Sequence, residues 1–342
     1  MTIKLQTVTP LWTGGVNGQA DRIHTSGIIG SLRWWYEALI RGLGGVACDP
    51  SEHQCLYDAE SNIRAVCDAC QIFGATGWKR RFRLLVEDSS TAGGPTGTHQ
   101  PTGARYTKGG PPKRPTWYFN GGRIGTVVLS IISLDSDFDP LLILGLLKLI
   151  EKNAAMAAKP QLGYGIVKLI DAPTLDVDAF LKEITHRLQQ PWSNNQNEPS
   201  LAEMFFAEVT PDSRNQATAV QTMLNLKYDL RAAFRTAPTG LIPPDLTMLR
   251  HFICGKEQPD EERQASKIAI SQPIGGRLRI WGWIPSSLPV RGTSQSSVVD
   301  IIYGTLSGFG TVNRWRKFQS LHDPIKLLNM KGFLKSLLEE AS

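Results

Sequence analysis

The sequence predicts an α+β fold, because segments with strand and helix patterns follow one another in a regular order along the first half of the chain. Alternating apolar residues indicate strands, and apolar residues spaced by three and four indicate helices. The order is strand, helix, strand, strand, helix, strand, which is that of a ferredoxin-like domain, an arrangement also found in RNA-recognition domains. The predicted strands are 3–8, 82–87, 126–133 and 165–170, and the predicted helices are 26–41 and 140–153.

A second α+β domain is predicted in the other half, since a length of 342 residues is typical of about two domains. Only two strand patterns are clear there, so we expect a degenerate ferredoxin-like domain, and we place the two domains at 1–175 and 176–342. A polar stretch, 189–200, has the composition of an exposed linker. The predicted strands are 266–271 and 277–284, and the predicted helices are 177–188, 214–235, 297–306 and 324–340.

Two insertions interrupt the first domain. Residues 42–78 carry most of the cysteines, and residues 89–122 are rich in glycine, proline and basic side chains. The second insertion has too little apolar content to pack by itself. We therefore expect it to reach toward a ligand or a neighbouring subunit.

The composition predicts a cytoplasmic protein with no membrane partner. Hydrophobic residues make up 41% and charged residues 20% of the chain, as in ordinary globular proteins. The most apolar stretch, 141–150, is about half as long as a membrane span requires. No phosphate-loop signature is present in the sequence, which argues against a P-loop NTPase.

Positive charge is concentrated between residues 79 and 123. This segment holds nine basic and two acidic residues, so its net charge of +7 exceeds the +6 of the whole chain. Such a local excess suits a polyanion, because neutralised phosphates release counterions, although a basic surface can also serve solubility alone. The candidate RNA-binding side chains here are Lys79, Arg80, Arg81, Arg83, Lys108, Lys113 and Arg114.

The start of helix 26–41 offers a second set of candidates. Ile28, Leu32 and Trp35 recur at helical spacing and predict a core face. Arg33 and Trp34 lie near the helix start, where a phosphate and an unstacked base can be bound. Arg33 can equally form a solvated ion-pair ladder on the opposite face, so both interpretations stay open.

The cysteines predict a structural zinc site. Cys48, Cys55, Cys67 and Cys70 have the spacing C-x6-C-x11-C-x2-C, and the last pair resembles half of a zinc knuckle. The first pair is looser, so His53 can replace one of its members. Free buried thiols are the alternative, because stable disulfides are rare in the cytoplasm. Four protein ligands would leave no open position for catalysis.

Four motifs resemble the RAMP superfamily of CRISPR proteins, and within it most closely the family of first-numbered Cmr subunits of type III-B effector complexes. They are residues 9–15 (TPLWTGG), 27–35 (GIIGSLRWW), 70–78 (CQIFGATGW) and 161–165 (QLGYG). Each is weak alone, but their shared order is specific. The second half matches mainly in length and in the hairpin 268–285.

The resemblance implies a non-catalytic RNA-binding subunit of a CRISPR RNA-guided complex in antiviral defence. Such a subunit contacts the 3′ region of the CRISPR RNA and the paired target RNA, alongside other Cmr-complex RAMP subunits, while another subunit cleaves the target. The residues that match or flank the family motifs, and are expected to bind RNA, are Arg22, His24, Arg33, Trp34, Lys159, Gln161 and Tyr164.

An enzyme is the alternative. Some RAMP proteins are metal-independent endoribonucleases that process CRISPR RNA, and His24 lies where a general acid or base is expected. No second titrating group is evident beside it in the sequence. A scaffold that binds proteins only would explain the tryptophans but not the basic segment.

Overall fold

A computed structural model of the chain describes residues 1–49, 55–58, 60, 66–102, 115–188, 198–236, 241–256 and 263–340. In these ranges no helix is long and apolar enough to cross a membrane. The described residues form two four-stranded antiparallel sheets.

The first sheet has the ferredoxin-like order β2-β3-β1-β4, as predicted. Alternation places Ile3, Leu5 and Leu129 on its buried face, in one core cluster with the two helices that cover it. The elements of this half are β1 (Thr2–Thr7), α1 (Thr25–Gly42), α2 (Asp68–Phe73), β2 (Phe82–His99), β3 (Trp117–Ser133), α3 (Leu141–Asn153) and β4 (Val167–Asp171).

The second sheet repeats the same permutation, in the order β6-β7-β5-β8. Among the described residues, two α-helices lie between its first and second strands in chain order, and one lies between its third and fourth. A linking helix, α4 (Val177–His186), precedes it. The elements are β5 (Met204–Pro211), α5 (Ala219–Thr236), α6 (Pro243–Cys254), β6 (Ile268–Ile270), β7 (Leu278–Trp283), α7 (Gln295–Phe309), β8 (Gly310–Lys317) and α8 (Met330–Glu339).

Two strands of the second sheet, β5 and β8, are not predicted from the sequence. Met204–Ala207 are all buried, so β5 lacks the alternation that identifies a half-exposed strand. In β8 the buried side chains include Arg316, which pairs with Asp323 over 3.2 Å. With β5 and β8 included, the second sheet has the complete strand order of a ferredoxin-like domain.

In the basic insertion 89–122, most of the described residues belong to strands, which the sequence did not predict. β2 and β3 continue as one long hairpin in which His99 pairs with Trp117. A two-stranded ladder satisfies its own backbone groups and needs little apolar content. The hairpin reaches the second half of the chain, where Thr102 N–H donates to Asn225 Oδ1 over 2.8 Å. Its tip, 103–114, lies outside the described residues.

Several helix boundaries differ from the prediction. The helix expected at 324–340 begins at Met330, after Asn329, whose side chain accepts a hydrogen bond from Gly332 N–H. The helix expected at 214 begins at Ala219. Most of the expected linker, 189–197, lies outside the described residues.

The two halves share an extensive contact. Helix α8 returns to the first half and packs on α3 and α4. Arg279 of β7 donates to the carbonyl oxygen of Glu151 over 2.7 Å, and Arg314 of β8 donates to Asn153 Oδ1 over 2.7 Å. The boundary at 175 and 176 stays a prediction.

A glycine inside α3 tests this packing. A Cβ at Gly145 would lie 2.2 Å from a ring carbon of Phe180 on α4. We expect Gly145→Ala to lower the free energy of unfolding by about 1–3 kcal/mol, because overpacking displaces the ring. Gly304→Ala in α7 is the control, since nothing lies within 4 Å of its Cβ position. It should be neutral or stabilising by up to about 1 kcal/mol in urea denaturation. Equal stability of the two variants would contradict the packing.

Candidate nucleic-acid interface and cysteine centre

The four cysteines of the first insertion converge. The sulfur atoms of Cys48, Cys55, Cys67 and Cys70 all lie within 4.8 Å of one another, close enough to hold one metal ion. Cys48 and Cys70 Sγ are 3.5 Å apart, near the spacing of about 3.8 Å expected between thiolates on one tetrahedral zinc ion. His53, the alternative ligand, lies outside the described residues.

The local backbone explains this convergence. Cys67 is the N-cap of α2, and its sulfur accepts a hydrogen bond from Cys70 N–H. The first helical turn thus brings the x2 pair to one side. Backbone N–H groups of Cys48 and Cys67 donate to the sulfurs of Cys67 and Cys55, each over 3.3 Å. Such donors favour sulfur that carries negative charge.

Arg33 lies against the cysteine centre. Its guanidinium donates to Cys70 Sγ over 3.2 Å, to Glu37 Oε1 over 2.7 Å and to the carbonyl oxygen of Gly74 over 3.0 Å. Burial acts to lower the pKa of Arg33, but the Glu37 hydrogen bond and the negative charge at Cys70 outweigh it and raise the pKa. The predicted RNA contact of Arg33 would compete with these partners.

An ion-pair ladder continues along the same face of α1. Glu37 is 5% exposed, and burial raises its pKa despite the adjacent arginines. Arg41 pairs with Glu198 over 2.5 Å and donates to the carbonyl oxygen of Pro199 over 3.1 Å. The ladder therefore fixes the start of the second half against α1.

A cavity of about 710 Å³ opens between the two halves, which we call the aromatic cleft. One wall comes from the first half: the segment after β1, the start of α1 and the loop after α3. The other wall comes from α6, β7 and the segment before β6. The aromatic lining residues are Trp12, Trp34, Trp35, Phe252, Trp281 and Trp283.

Hydrogen bonds fix the first wall. Trp35 Nε1 donates to the carbonyl oxygen of Ala155 over 3.3 Å, and Ala157 N–H donates to Ser31 Oγ over 3.0 Å. Trp35 is buried at 2% exposure, whereas Trp34 is 37% exposed and meets Trp35 edge-on at 5.0 Å between centroids. Trp34 thus presents a ring to the cleft.

The glycine-rich loop forms one rim of the cleft. Lys159 Nζ lies 3.9 Å from the centroid of a Trp12 ring and donates to Asn120 Oδ1 over 2.6 Å. Gln161 lines the cleft, and its carbonyl oxygen accepts from Lys227 Nζ over 2.7 Å. Burial lowers the pKa of Lys227 to about 8. These contacts join the rim to α5.

Tyr164 and the neighbouring glycines serve the protein interior. Tyr164 is fully buried, its hydroxyl donates to the carbonyl oxygen of Pro95 over 3.4 Å, and burial raises its pKa to about 12. Its ring therefore has no open face for a base. Gly165 has φ of 88°, and a Cβ there would lie 2.0 Å from the carbonyl oxygen of Met156. The close approach that Gly165 permits is to protein backbone.

The basic cluster divides into buried and exposed members. Arg81 is 8% exposed and donates to Asp137 Oδ2 over 2.8 Å and to the carbonyl oxygen of Gln71 over 3.1 Å. Arg80 donates to the carbonyl oxygen of Phe82 over 2.7 Å. Lys79 and Arg83 are exposed. The other predicted members, Lys108, Lys113 and Arg114, lie outside the described residues.

Arg22 and His24 lie in the turn that leads into α1. Arg22 is exposed, and its carbonyl oxygen accepts from Thr13 Oγ1 over 3.0 Å. His24 Nε2 lies 2.7 Å from Asp21 Oδ1. The sequence did not reveal this partner, because the pairing depends on the turn at residues 13–24.

Residues 4–168 match the sequence model of the RAMP superfamily. The matched range contains α1, the cysteine centre, the glycine-rich loop, most of β1 and the first wall of the aromatic cleft. No curated protein matches the sequence as a whole.

Several solved structures are similar to the chain. Cmr1 from Pyrococcus furiosus, crystallised in its apo form, has 16% identity over 89% of this chain and 96% of its own, with a TM-score of 0.46. A cryo-EM structure of type III-B Cmr-beta bound to cognate target RNA and AMPPnP, with ssDNA present, has 11% identity over 89% and 99%, with a TM-score of 0.45. A second, bound to cognate target RNA, has 10% identity over 89% and 99%, with a TM-score of 0.45.

The adjacent tryptophans of helix α1 provide a direct test of the cleft wall. Trp35→Ala should lower the free energy of unfolding by about 3–5 kcal/mol, because it leaves a core cavity. Trp34→Ala should lower the free energy of unfolding by at most about 1.5 kcal/mol, because it removes only the edge-on contact between the two rings. Urea denaturation of both variants measures the difference. An equally large loss for Trp34→Ala would show that its ring belongs to the core.

Proposed function

We propose that this protein is a non-catalytic RNA-binding subunit of a type III-B CRISPR effector complex. One observation carries the proposal: three motifs of the RAMP resemblance, 9–15, 27–35 and 161–165, contribute residues to the lining of a single cavity. A cavity with many aromatic residues suits unpaired bases, because every base has a flat face that stacks on such rings. The fourth motif, 70–78, contributes to the cysteine centre.

The expected ligands follow from the resemblance. The subunit contacts the 3′ region of the CRISPR RNA and the paired target RNA, in the cytoplasm, beside other Cmr-complex RAMP subunits. Exposed Arg22, Lys79 and Arg83 supply phosphate contacts outside the cleft. Trp34 and Gln161 supply contacts in its lining, and Lys159, which lies over the ring of Trp12, supplies one beside it. Target cleavage belongs to another subunit, so binding and positioning are the contribution of this chain.

We propose that zinc occupies the cysteine centre in a structural role. Four sulfur ligands fill a tetrahedral site, so zinc there would hold the segments of the insertion together and have no position for a substrate. Arg33 would offset part of the negative charge of four thiolates. Free buried thiols remain the competing hypothesis.

Metal content tests the zinc proposal. Protein purified without chelators should contain about one equivalent of zinc by elemental analysis, because structural sites bind tightly. The Cys67→Ser variant should contain less than about half an equivalent of zinc. Cys254→Ser is the matched control, since that buried cysteine lies in the second half of the chain. Less than half an equivalent in the unaltered protein would favour free thiols.

RNA affinity tests the electrostatic part of the proposal. Replacing Lys79 and Arg83 together by Ala should weaken binding of single-stranded RNA at low salt. The slope of log K against log salt should fall by about 1.4, or about 0.7 for each lost phosphate contact. The control replaces the exposed Arg291 and Lys331 by Ala. An unchanged affinity and slope would make the Lys79 and Arg83 surface a determinant of solubility only.

A second function, endoribonuclease activity, gains support from the His24 and Asp21 pair, since a carboxylate commonly orients a catalytic imidazole. We expect the purified chain to bind a CRISPR repeat RNA without cutting it. His24→Ala should then leave RNA cleavage by the whole complex unchanged, with His186→Ala, a change of an exposed histidine in α4, as the control. Loss of a general base would cost about 10² to 10⁴ in rate. Metal-independent cleavage by the chain alone that disappears in His24→Ala would establish the enzyme.

A further inference from the structure

Lys267 occupies an unusual place in the second wall of the aromatic cleft. Its Nζ lies 3.9 Å from the ring centroid of Phe252 and 5.0 Å from that of Trp283. Across the described part of the chain, no carboxylate lies within 4.0 Å of this ammonium group. Aromatic faces therefore hold the cation in position while leaving its hydrogen-bond donors without an anionic partner.

The backbone of Lys267 is fixed on both sides. Its N–H donates to the carbonyl oxygen of Ile253 over 2.9 Å, and its carbonyl oxygen accepts from Trp283 N–H over 3.2 Å. The end of α6 and the end of β7 thus both determine where the side chain begins. Because the backbone of Lys267 is already fixed, contact with a ligand costs less conformational entropy.

No compensating charge lines the cleft among the residues that the structure describes. Among the described residues that line it, Lys267 has the sole ionisable side chain, and the others are aromatic, small, or uncharged polar residues. Burial lowers the pKa of Lys267 below its ordinary value, because desolvation disfavours the charged ammonium group. A ligand with one anionic group would complement it.

The remaining surface suits a planar ring. Trp34 faces the cleft from the RAMP side, and Phe252 and Trp283 face it from the other. A volume of about 710 Å³ falls in the range of about 300–1,000 Å³ typical of small-ligand sites, so it admits one nucleotide but not a duplex. A quaternary ammonium, the other usual ligand of aromatic cages, would be repelled by Lys267.

We propose that the aromatic cleft binds one unpaired nucleotide of the RNA, with the base against the aromatic walls and a phosphate on Lys267 Nζ. This inference rests on the proposed RNA-binding function and specifies that the cleft binds a single unpaired nucleotide. It assigns recognition to Phe252, Lys267 and Trp283, none of which belongs to the RAMP match at 4–168.

Single-stranded RNA that carries one 2-aminopurine tests the proposal, because stacking on an indole or phenyl ring quenches that base. The full-length protein should quench it on binding, and Lys267→Gln should weaken affinity by about 10-fold or more. The salt slope should fall by about 0.7. Lys267→Arg should retain most of the affinity, and Lys331→Gln, an exposed lysine of α8, should change nothing.

The outcomes separate this proposal from the broader one. Quenching that is lost in Trp34→Ala, together with the smaller slope in Lys267→Gln, supports the nucleotide site. Unaltered affinity and slope in Lys267→Gln, with RNA still bound, would overturn the site but leave RNA binding intact. Failure of the unaltered protein to bind RNA would overturn both. Loss of subunit assembly in Lys267→Gln with an unchanged RNA slope would assign the cleft to a protein partner instead.

Discussion

The buried ion-pair ladder on helix α1 is the interaction on which the functional surfaces depend. Glu37 lies between Arg33 and Arg41, 2.7 Å from the first and 3.8 Å from the second. Buried charges are tolerated only when they are paired, and removal of one partner typically costs about 3–5 kcal/mol. Arg33 connects this ladder to the cysteine centre, and Arg41 connects it to Glu198. One helix face thus orders the insertion and the entry to the second half.

Another side of helix α1 forms part of the wall of the aromatic cleft. With Arg33 directed toward the cysteines, the next residue, Trp34, is directed toward the cleft. The second sheet supplies the opposite wall through Trp281 and Trp283, two residues apart on β7. Both halves are needed to enclose the cavity, which is why its residues are scattered along the chain.

Local patterns were sufficient for the elements that expose one face. Alternation around Ile3 and Leu5 and helical spacing around Leu32 identified β1 and α1, and the sheet order of the first half followed. The buried strand β5 and the charge-bearing β8 carry no such pattern, so their discovery required tertiary structure. The same limit applied to the site: the sequence allowed Arg33 either a phosphate contact or an ion pair with Glu37, and the fold shows that its partners are Cys70 and Glu37.

The cysteine spacing, in contrast, was sufficient to predict convergence, since x2 spacing on a helix start brings two thiols together. Phe252 and Lys267 could not be predicted, because neither lies in a recognisable motif and their contact depends on the end of α6 meeting the segment before β6. Trp281 and Trp283 lay on a predicted strand, yet which ligand surface they face is a property of the assembled halves. One weak indication of a ligand surface was present in the sequence, since Trp281 and Trp283 lie on the same predicted strand as Arg279.

The central claim is that RNA enters the cleft between the two halves. Photo-crosslinking of the full-length protein to single-stranded RNA containing 4-thiouridine, followed by mass spectrometry of the adducts, tests it most directly. The account predicts adducts on peptides that contain Trp34 and Trp283, from opposite walls of one cavity. Adducts confined to the exposed strands of the first sheet, around Arg83, with none at either tryptophan, would contradict it.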